Sequence, residues 1–445
     1  MTDRSALPHG VTGAGRATTP VFASARGPWL WDEHDDRYLD LHGGYGTAIL
    51  GYADPEVDGA VTAAMAAGCT FVGTANRYES ELAARLVELL PEAERVALCG
   101  GGGTDGLYHA VRLARAATGR ALVAKVEGGY QGWHGVLGAS TAPDPGQLGD
   151  QLLPPAIPNS DGILPSVTAA VRVVSANDEA SLRARFAQQG DALAALVVEP
   201  ILYSAGTVEI DSSWLALARE LCDAHGVLLI FDEVVTGFRE RLGGAGAGMG
   251  VIPDLAVYGK AIANGHVLAA LVGRADVLDL LAPGGPVFFS GTFNASPLGC
   301  IAAGATLDVL GRGEAIPRAV TGAQRLAEQV NARIAELGVR AACQQRGSAF
   351  TLYLGAWTVR NYRDLAAITR PDVLELNAEL RAHLLRDRIF MQYRRGTNRG
   401  YISAAHEPAQ VDEAAASMTS FLERFAASPV LAEDSTAQHA SGAPG

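Results

Sequence analysis

Gly226-Val227-Leu228-Leu229-Ile230-Phe231-Asp232-Glu233 decides the fold: a helical pattern over 214–225 closes at Gly226, and a continuous apolar run then stops abruptly at two carboxylates. Short runs of this kind read as strands buried on both faces. The same grammar recurs on either side. Residues 193–198 stop at Glu199-Pro200, and 255–258 stop at Gly259-Lys260. A helix is expected over 104–118, where Leu107, Ala110, Val111 and Ala114 fall at i, i+3, i+4 and i+7 and Gly119 supplies a C-cap; a strand over 121–126 follows. Strands alternating with helices imply a mostly parallel sheet covered by helices, and such sheets take ligands beyond the carboxyl ends of their strands. Glu199, Asp232 and Lys260 are therefore expected to meet at one edge.

Outward from this core, Trp29-Leu30-Trp31-Asp32 and Arg37-Tyr38-Leu39-Asp40-Leu41 read as a hairpin around 33–36. Beyond about Pro297 the pattern turns to long amphipathic helices, over 319–337 and 373–387, with short strands over 349–354 and 400–403, so a smaller α+β domain is expected after the larger α/β one. Residues 428–445, rich in Ser, Ala, Gly and Pro without apolar periodicity, read as a frayed tail.

The 445 residues are 48% hydrophobic and carry 35 Lys+Arg against 48 Asp+Glu, a net charge of -13. An acidic chain offers no field to collect phosphate backbones or anionic lipid, so nucleic acid is not expected as a partner. Five scattered cysteines (Cys69, Cys99, Cys222, Cys300, Cys343) without a CxxC pair read as buried free thiols of a reducing cytosol. No leader pattern opens Met1–Gly10 and no apolar run nears the roughly 18 residues of a span, so a cytoplasmic protein away from membranes is expected.

Lys125 and Lys260 are the only lysines. Arginine keeps a charge but cannot become a neutral amine nucleophile, so each surviving lysine poses a question. Lys260 ends an apolar strand, where desolvation favours the neutral amine; it reads equally as a solvated strand end. Asp232 requires a buried cation or reads as a cap. Gly100-Gly101-Gly102-Gly103-Thr104, just before a helix, forms an anion cradle or a flexible turn; it is neither a Walker loop nor a dinucleotide fingerprint. Together they describe one ligand. Pyridoxal phosphate needs an amine for its aldehyde, a carboxylate for its ring nitrogen, a phosphate cradle, and walls for its ring faces such as Tyr130 and Val234.

Gly103-Thr104-Asp105-Gly106, Glu127-Gly128-Gly129-Tyr130-Gln131-Gly132, Phe231 to Arg239 (FDEVVTGFR), Pro253-Asp254-Leu255 with Gly259-Lys260, and Gly291-Thr292-Phe293-Asn294 follow in the order of class III aminotransferases. The chain resembles this family from about residue 10 to 425, most of all the branch containing glutamate-1-semialdehyde aminomutase. The resemblance implies a pyridoxal-phosphate transferase of fold type I, with a mostly parallel seven-stranded sheet and a smaller α+β domain. It divides the chain into an N-terminal segment 1–55 packing with the small domain, a large cofactor-binding domain 56–300, a small domain 301–427 and a disordered tail 428–445. It assigns Lys260 to the Schiff base and proton shuttle, Asp232 to the pyridinium, Tyr130 and Val234 to the ring faces, Gly102, Gly103 and Thr104 to the phosphate, and Gln131 and Glu199 to the surroundings of the ring. Thr292 would complete the phosphate site of a neighbouring subunit, which implies a homodimer with shared sites.

The sequence departs from the family at Gly101-Gly102, where Asn-Ser is usual, at Gln131, where His is usual, and at Asp105, where Glu is usual. Arg16 lines up with a carboxylate-binding arginine of the aminomutase branch. Arg399 is its rival, and either reads also as a surface arginine. Tyr45 takes the place of an active-site aromatic or belongs to the core. The resemblance implies a ping-pong aminotransferase acting on an amino donor and a small carbonyl acceptor, and the altered motifs point to a role in specialised biosynthesis. The alternatives are an intramolecular 2,1-aminomutase and an idle scaffold. The lysine segment Gly259 to Gly265 lacks the glycine-rich run associated with the mutase.

Overall fold

The computed structural model describes residues 20–394 and 396–432. Its strands are β1 (Phe22–Arg26), β2 (Trp29–Asp32), β3 (Arg37–Asp40), β4 (Arg95–Cys99), β5 (Leu122–Val126), β6 (Val171–Val174), β7 (Leu193–Val198), β8 (Ile201–Leu202), β9 (Val208–Glu209), β10 (Leu228–Glu233), β11 (Leu255–Tyr258), β12 (Ala269–Gly273), β13 (Ala341–Arg346), β14 (Ala349–Leu354), β15 (Ile389–Phe390), β16 (Gln392–Arg394) and β17 (Thr397–Tyr401). The central sheet has seven strands in the order β4-β12-β11-β10-β7-β5-β6. Strands β6, β5, β7, β10 and β11 run parallel. β12 runs antiparallel to both of its neighbours. The reason is chain length: a parallel return needs a crossover of a dozen or more residues, and β11 reaches β12 through residues 259–268 alone.

Both faces of this sheet are covered. On one, Val123, Ala195, Val197, Leu228, Ile230, Leu255, Val257 and Leu271 pack with Leu107, Ala110, Val111 and Ala114 of the helix Gly103–Thr118. On the other, Leu196, Val198, Leu229, Phe231, Ala256 and Tyr258 face a second, larger cluster. These sets alternate along each strand, as the pleat requires.

A second sheet, β13-β14-β17-β16, packs against the helices Ala315–Leu337, Pro371–Arg386 and Pro408–Phe425 in a core of its own. The N-terminal hairpin β2-β3 joins β15 through β3 and lends Leu39 and Leu41 to that core. The C-terminal strand, read over 400–403, runs over 397–401.

The tail reading is corrected over its first residues. Val430 and Leu431 are buried in the second core, and the Leu431 carbonyl accepts from Arg340 N at 2.7 Å; two apolar residues without a periodic neighbour give no helix or strand signal, yet they fill space. Residues 433–445 lie outside the described ones. Leu431→Ala is expected to cost about 2–5 kcal/mol, seen as a lowered urea midpoint; an unchanged midpoint would show that the site collapses without loss.

All five cysteines are free and buried. No helix among the described residues is long and apolar enough to cross a membrane.

Candidate active site

Strand alternation places the chemistry. Leu228 and Ile230 point to the face covered by the helix Gly103–Thr118, so Asp232 continues that face at the carboxyl end of β10. Ala195 and Val197 put Glu199 on the same face beyond β7, and Leu255 and Val257 lead to Gly259 beyond β11. The backbone then turns sharply. Lys260 adopts φ +47°, a left-handed conformation that costs a non-glycine residue about 1–3 kcal/mol and persists only where the surroundings over-determine it. They do: Asn264 Oδ1 accepts from Leu50 N at 3.0 Å and its amide donates to Gly51 O at 3.0 Å, fixing the turn Lys260–Ala263.

Lys260 and Asp232 act on each other electrostatically. Burial pushes the Lys260 amine down to about 8; the Asp232 charge opposes this, whereas Arg399 and Arg239 add to it. Burial drives Asp232 well above the usual carboxylate range, and the nearby Glu199 charge pushes the same way, against the Val234 N–H on Oδ1 at 3.1 Å and the Lys260 charge. Two opposite charges removed from water thus move together toward neutrality, and a cation placed against Asp232 would restore its charge.

The glycine run is shaped by contacts. A Cβ at Gly103 would come within 2.5 Å of Val234 Cγ2, and one at Gly106 within 2.6 Å of Val257 Cγ1. Bare backbone at both positions lets the helix settle onto the sheet. Gly102, its N-cap, has φ +82°, and a Cβ there would meet open space. The first-turn N–H groups of the helix therefore face a cradle with no side chain in it, which fits a phosphate. A side chain at Gly101 would overlap the Asp105 carboxylate. The two departures from the family at 101 and 105 are thus one steric fact: the shorter acid folds back over the glycine.

Glu199 is a buried hub. Its Oε1 accepts from Tyr130 N at 2.8 Å, Gln131 Nε2 at 3.0 Å and Ser204 Oγ at 2.8 Å, and its Oε2 from Ser204 N at 3.3 Å. Because a carboxylate only accepts, the Gln131 amide nitrogen must face it, and Gln131 Oε1 is left buried without a protein donor. Tyr130 is 42% exposed, a ring with one open side. Val234 packs between Gly103 and Gly259, joining the glycine loop to the lysine loop.

The structure brings Lys260, Asp232, Glu199, Tyr130, Gln131, Val234, Gly102, Gly103 and Thr104 to one sheet edge. Arg399, on β17 of the small sheet, is buried, donates to the Tyr203 carbonyl, and lies near enough to Lys260 to act on its charge. Tyr45 is 39% exposed at φ +60°, its ring edge-on to His42 at 4.3 Å. Thr292 is exposed on the segment that packs against this chain's own glycine loop, where Asn294 Oδ1 accepts from Gly100 N at 2.9 Å. Arg16 lies outside the described residues.

Sequence reasoning missed three supports. Ser204 fixes Glu199. Arg239 is buried and donates to Val235 O at 2.8 Å, Ser348 Oγ at 3.1 Å and Gly46 O, riveting the N-terminal segment to both sheets. Lys125 caps backbone carbonyls of the Tyr130 loop. The signal for the second was Arg239 closing the FDEVVTGFR block; the others depend on contacts that the sequence does not spell out.

Comparison with known proteins agrees with this geometry. The model of the family "Aminotransferase class-III" matches residues 13–347. A glutamate-1-semialdehyde 2,1-aminomutase of Rhodopirellula baltica is 36% identical over 375 residues, 82% of this chain and 83% of that protein. An omega-transaminase from Sphaerobacter thermophilus superimposes with a TM-score of 0.87 at 29% identity, covering 94% of this chain and 95% of the other. A transaminase solved with PLP bound gives 0.82 at 26% identity, covering 95% of each chain.

Proposed function

Because this chain belongs to the class III aminotransferases, enzymes dependent on pyridoxal phosphate, we propose that it moves an amino group from an amino donor to a small carbonyl acceptor, each in turn. One observation carries the reading: a lysine amine whose pKa burial lowers to about 8 lies by a buried carboxylate and a glycine-lined anion cradle that no side chain fills. When bound, the cofactor supplies an aldehyde for the amine and a ring that accepts electrons from the substrate carbon.

Every other part of the work falls to the chain. Lys260 Nζ, uncharged at moderately alkaline pH, would hold the cofactor through its aldehyde and, once released by the substrate amine, would serve as the base that moves the substrate Cα proton. Asp232 would hold the protonated ring nitrogen by its charge. Gly102, Gly103 and Thr104 would hold the phosphate through backbone N–H groups and a hydroxyl. Tyr130 would cover one ring face and Val234 the other, while Glu199, bonded to Tyr130 N and Gln131, would orient the first of these walls. Arg399 offers its guanidinium to a substrate carboxylate, as would Arg16, and Tyr45 shapes the pocket floor. Exposed Phe288 and Phe293 flank Thr292, a surface suited to a second copy of the chain that would receive Thr292 at its own phosphate site.

Transfer is favoured over rearrangement by the lysine segment Gly259 to Gly265, which lacks the glycine-rich run associated with the mutase. The second reading, a 2,1-aminomutase, is favoured by the similarity to the protein of Rhodopirellula baltica.

Adding reagents singly decides between them. An amino donor alone should bleach the visible band of the loaded protein stoichiometrically, and a carbonyl acceptor should restore it. Turnover of one amino aldehyde to its isomer, with no acceptor present, would overturn transfer in favour of the mutase.

Arg399→Ala is expected to raise KM for a carboxylate-bearing substrate about tenfold to a hundredfold, since charge-assisted hydrogen bonds are worth about 1.5–3 kcal/mol. KM for the matching amine without a carboxylate should not change. Equal losses for both would reassign Arg399 to holding Tyr203.

A further inference from the structure

Lys125 is the only lysine besides Lys260 in a chain whose 35 Lys+Arg are otherwise arginine, and the proposed function gives it no task. It sits one residue before the carboxyl end of β5, fully buried. Its Nζ donates to Gly129 O at 2.8 Å, Leu137 O at 3.0 Å and Ala139 O at 2.7 Å, and lies 3.5 Å from Thr141 Oγ1. These acceptors come from two separate stretches of one loop, 129 and 137–141, which bracket Tyr130 and Gln131. The ammonium is therefore the knot that closes the loop beneath the ring-stacking tyrosine. The other end of the same platform is Glu199, reached by the Tyr130 N–H and the Gln131 amide.

Carbonyls converging on one point suit a compact ammonium with three rotatable donors. A planar guanidinium presents its donors in a fixed fork and cannot satisfy them from that position. This explains why lysine stands at 125 in a chain that, Lys260 apart, uses arginine.

We propose that Lys125 is a positioning residue for the cofactor ring: through the carbonyls of Gly129, Leu137 and Ala139 it sets the height and tilt of Tyr130 and Gln131 against the site. The proposal rests on the reading that Tyr130 covers the ring. An aromatic wall displaced by the loosened loop no longer matches the bound ring, and misplacement of this order is costly in both binding and rate.

The test uses the full-length protein loaded with pyridoxal phosphate, as Lys125→Met and Lys125→Arg. Both variants should fold with unchanged far-ultraviolet circular dichroism and should be trapped by borohydride on Lys260. Both should raise the dissociation constant of the cofactor by about tenfold or more, shift the maximum of the visible band, and lower kcat more than they raise KM. A folded Lys125→Arg with the original dissociation constant and band overturns the proposal, as does a Lys125→Met protein that loses only melting temperature. Should neither variant fold, Thr141→Val, which removes one acceptor from Nζ, takes over the test with an expected rise of about twofold; no rise overturns the proposal. Absence of any borohydride adduct on Lys260 in the unsubstituted protein would overturn the cofactor reading together with this proposal, and it is recognised before any variant is made.

Discussion

Lys260→Ala should leave a folded protein that forms no borohydride-stable adduct and has lost about 10⁴-fold or more of its turnover, because one side chain supplies both the amine that attaches to the cofactor and the base that moves the Cα proton. Peptide mapping after reduction and single-turnover kinetics check this. Lys125, the only other amine side chain, is buried among carbonyls and offers no substitute. An adduct at Lys125, or turnover within tenfold of the unsubstituted protein, would remove Lys260 from the chemistry.

The same lysine has a pH signature. In the protein without cofactor, attachment requires the neutral amine, and burial brings its pKa from 10.5 down to about 8. The rate of adduct formation should therefore rise with pH and reach half its plateau near pH 8. Asp232 opposes that downward shift and Arg399 contributes to it. Removing the negative neighbour moves the midpoint down, and removing the positive one moves it up. Opposite displacements in Asp232→Asn and Arg399→Ala are the expected result. A shared direction would mean that neither side chain acts through its charge.

Asp232→Asn is the second large effect. An amide cannot balance a protonated ring nitrogen, and the loss of one preorganised charge at a reacting centre costs about 10²–10³ in rate. The half-reaction with an amino donor should slow by that factor while borohydride still traps Lys260. Stability should respond in the other sense. The folded pKa of Asp232 stands above its unfolded value, so between the two the folded chain holds a proton that the unfolded chain has released. Stability of the cofactor-free protein consequently falls as pH rises through that window. The asparagine variant removes this contribution and should melt no lower than the unsubstituted protein at neutral pH. A large loss of melting temperature would mark Asp232 as a structural anchor instead.

The legible parts of the site share one property, a polar residue that ends an apolar run. Asp232, Glu199 and Lys260 stood out because continuous Val, Leu and Ile stretches allow a charge only where the strand leaves the core. The helix 103–118 was legible from its period and from Gly119, which adopts the left-handed C-cap conformation. The reversed direction of β12 was not legible, because an apolar run carries no sign of its direction. The adjacent carboxylates looked alike, yet the pleat separates them. Asp232 faces Lys260, whereas Glu233 turns to the opposite face, bonds Thr236, Ala245 N and Gly246 N, and is pushed up to about 7 by burial.

What the sequence determined by itself is the alternation of strand and helix over 193–260, the edge of the sheet where charges collect, and a candidate amine and carboxylate. These follow from local rules, since apolar period and chain polarity act within a few residues. What only the tertiary structure decided is how those groups are held and tuned. The burial that brings Lys260 toward neutrality, the Asp105 carboxylate that requires Gly101, the carbonyls gathered by Lys125, and the Arg363 clasp on residues 148–150 all join positions far apart in the chain. Desolvation and steric fit depend on every neighbour at once, and neighbours in space are not spelled out by neighbours in sequence.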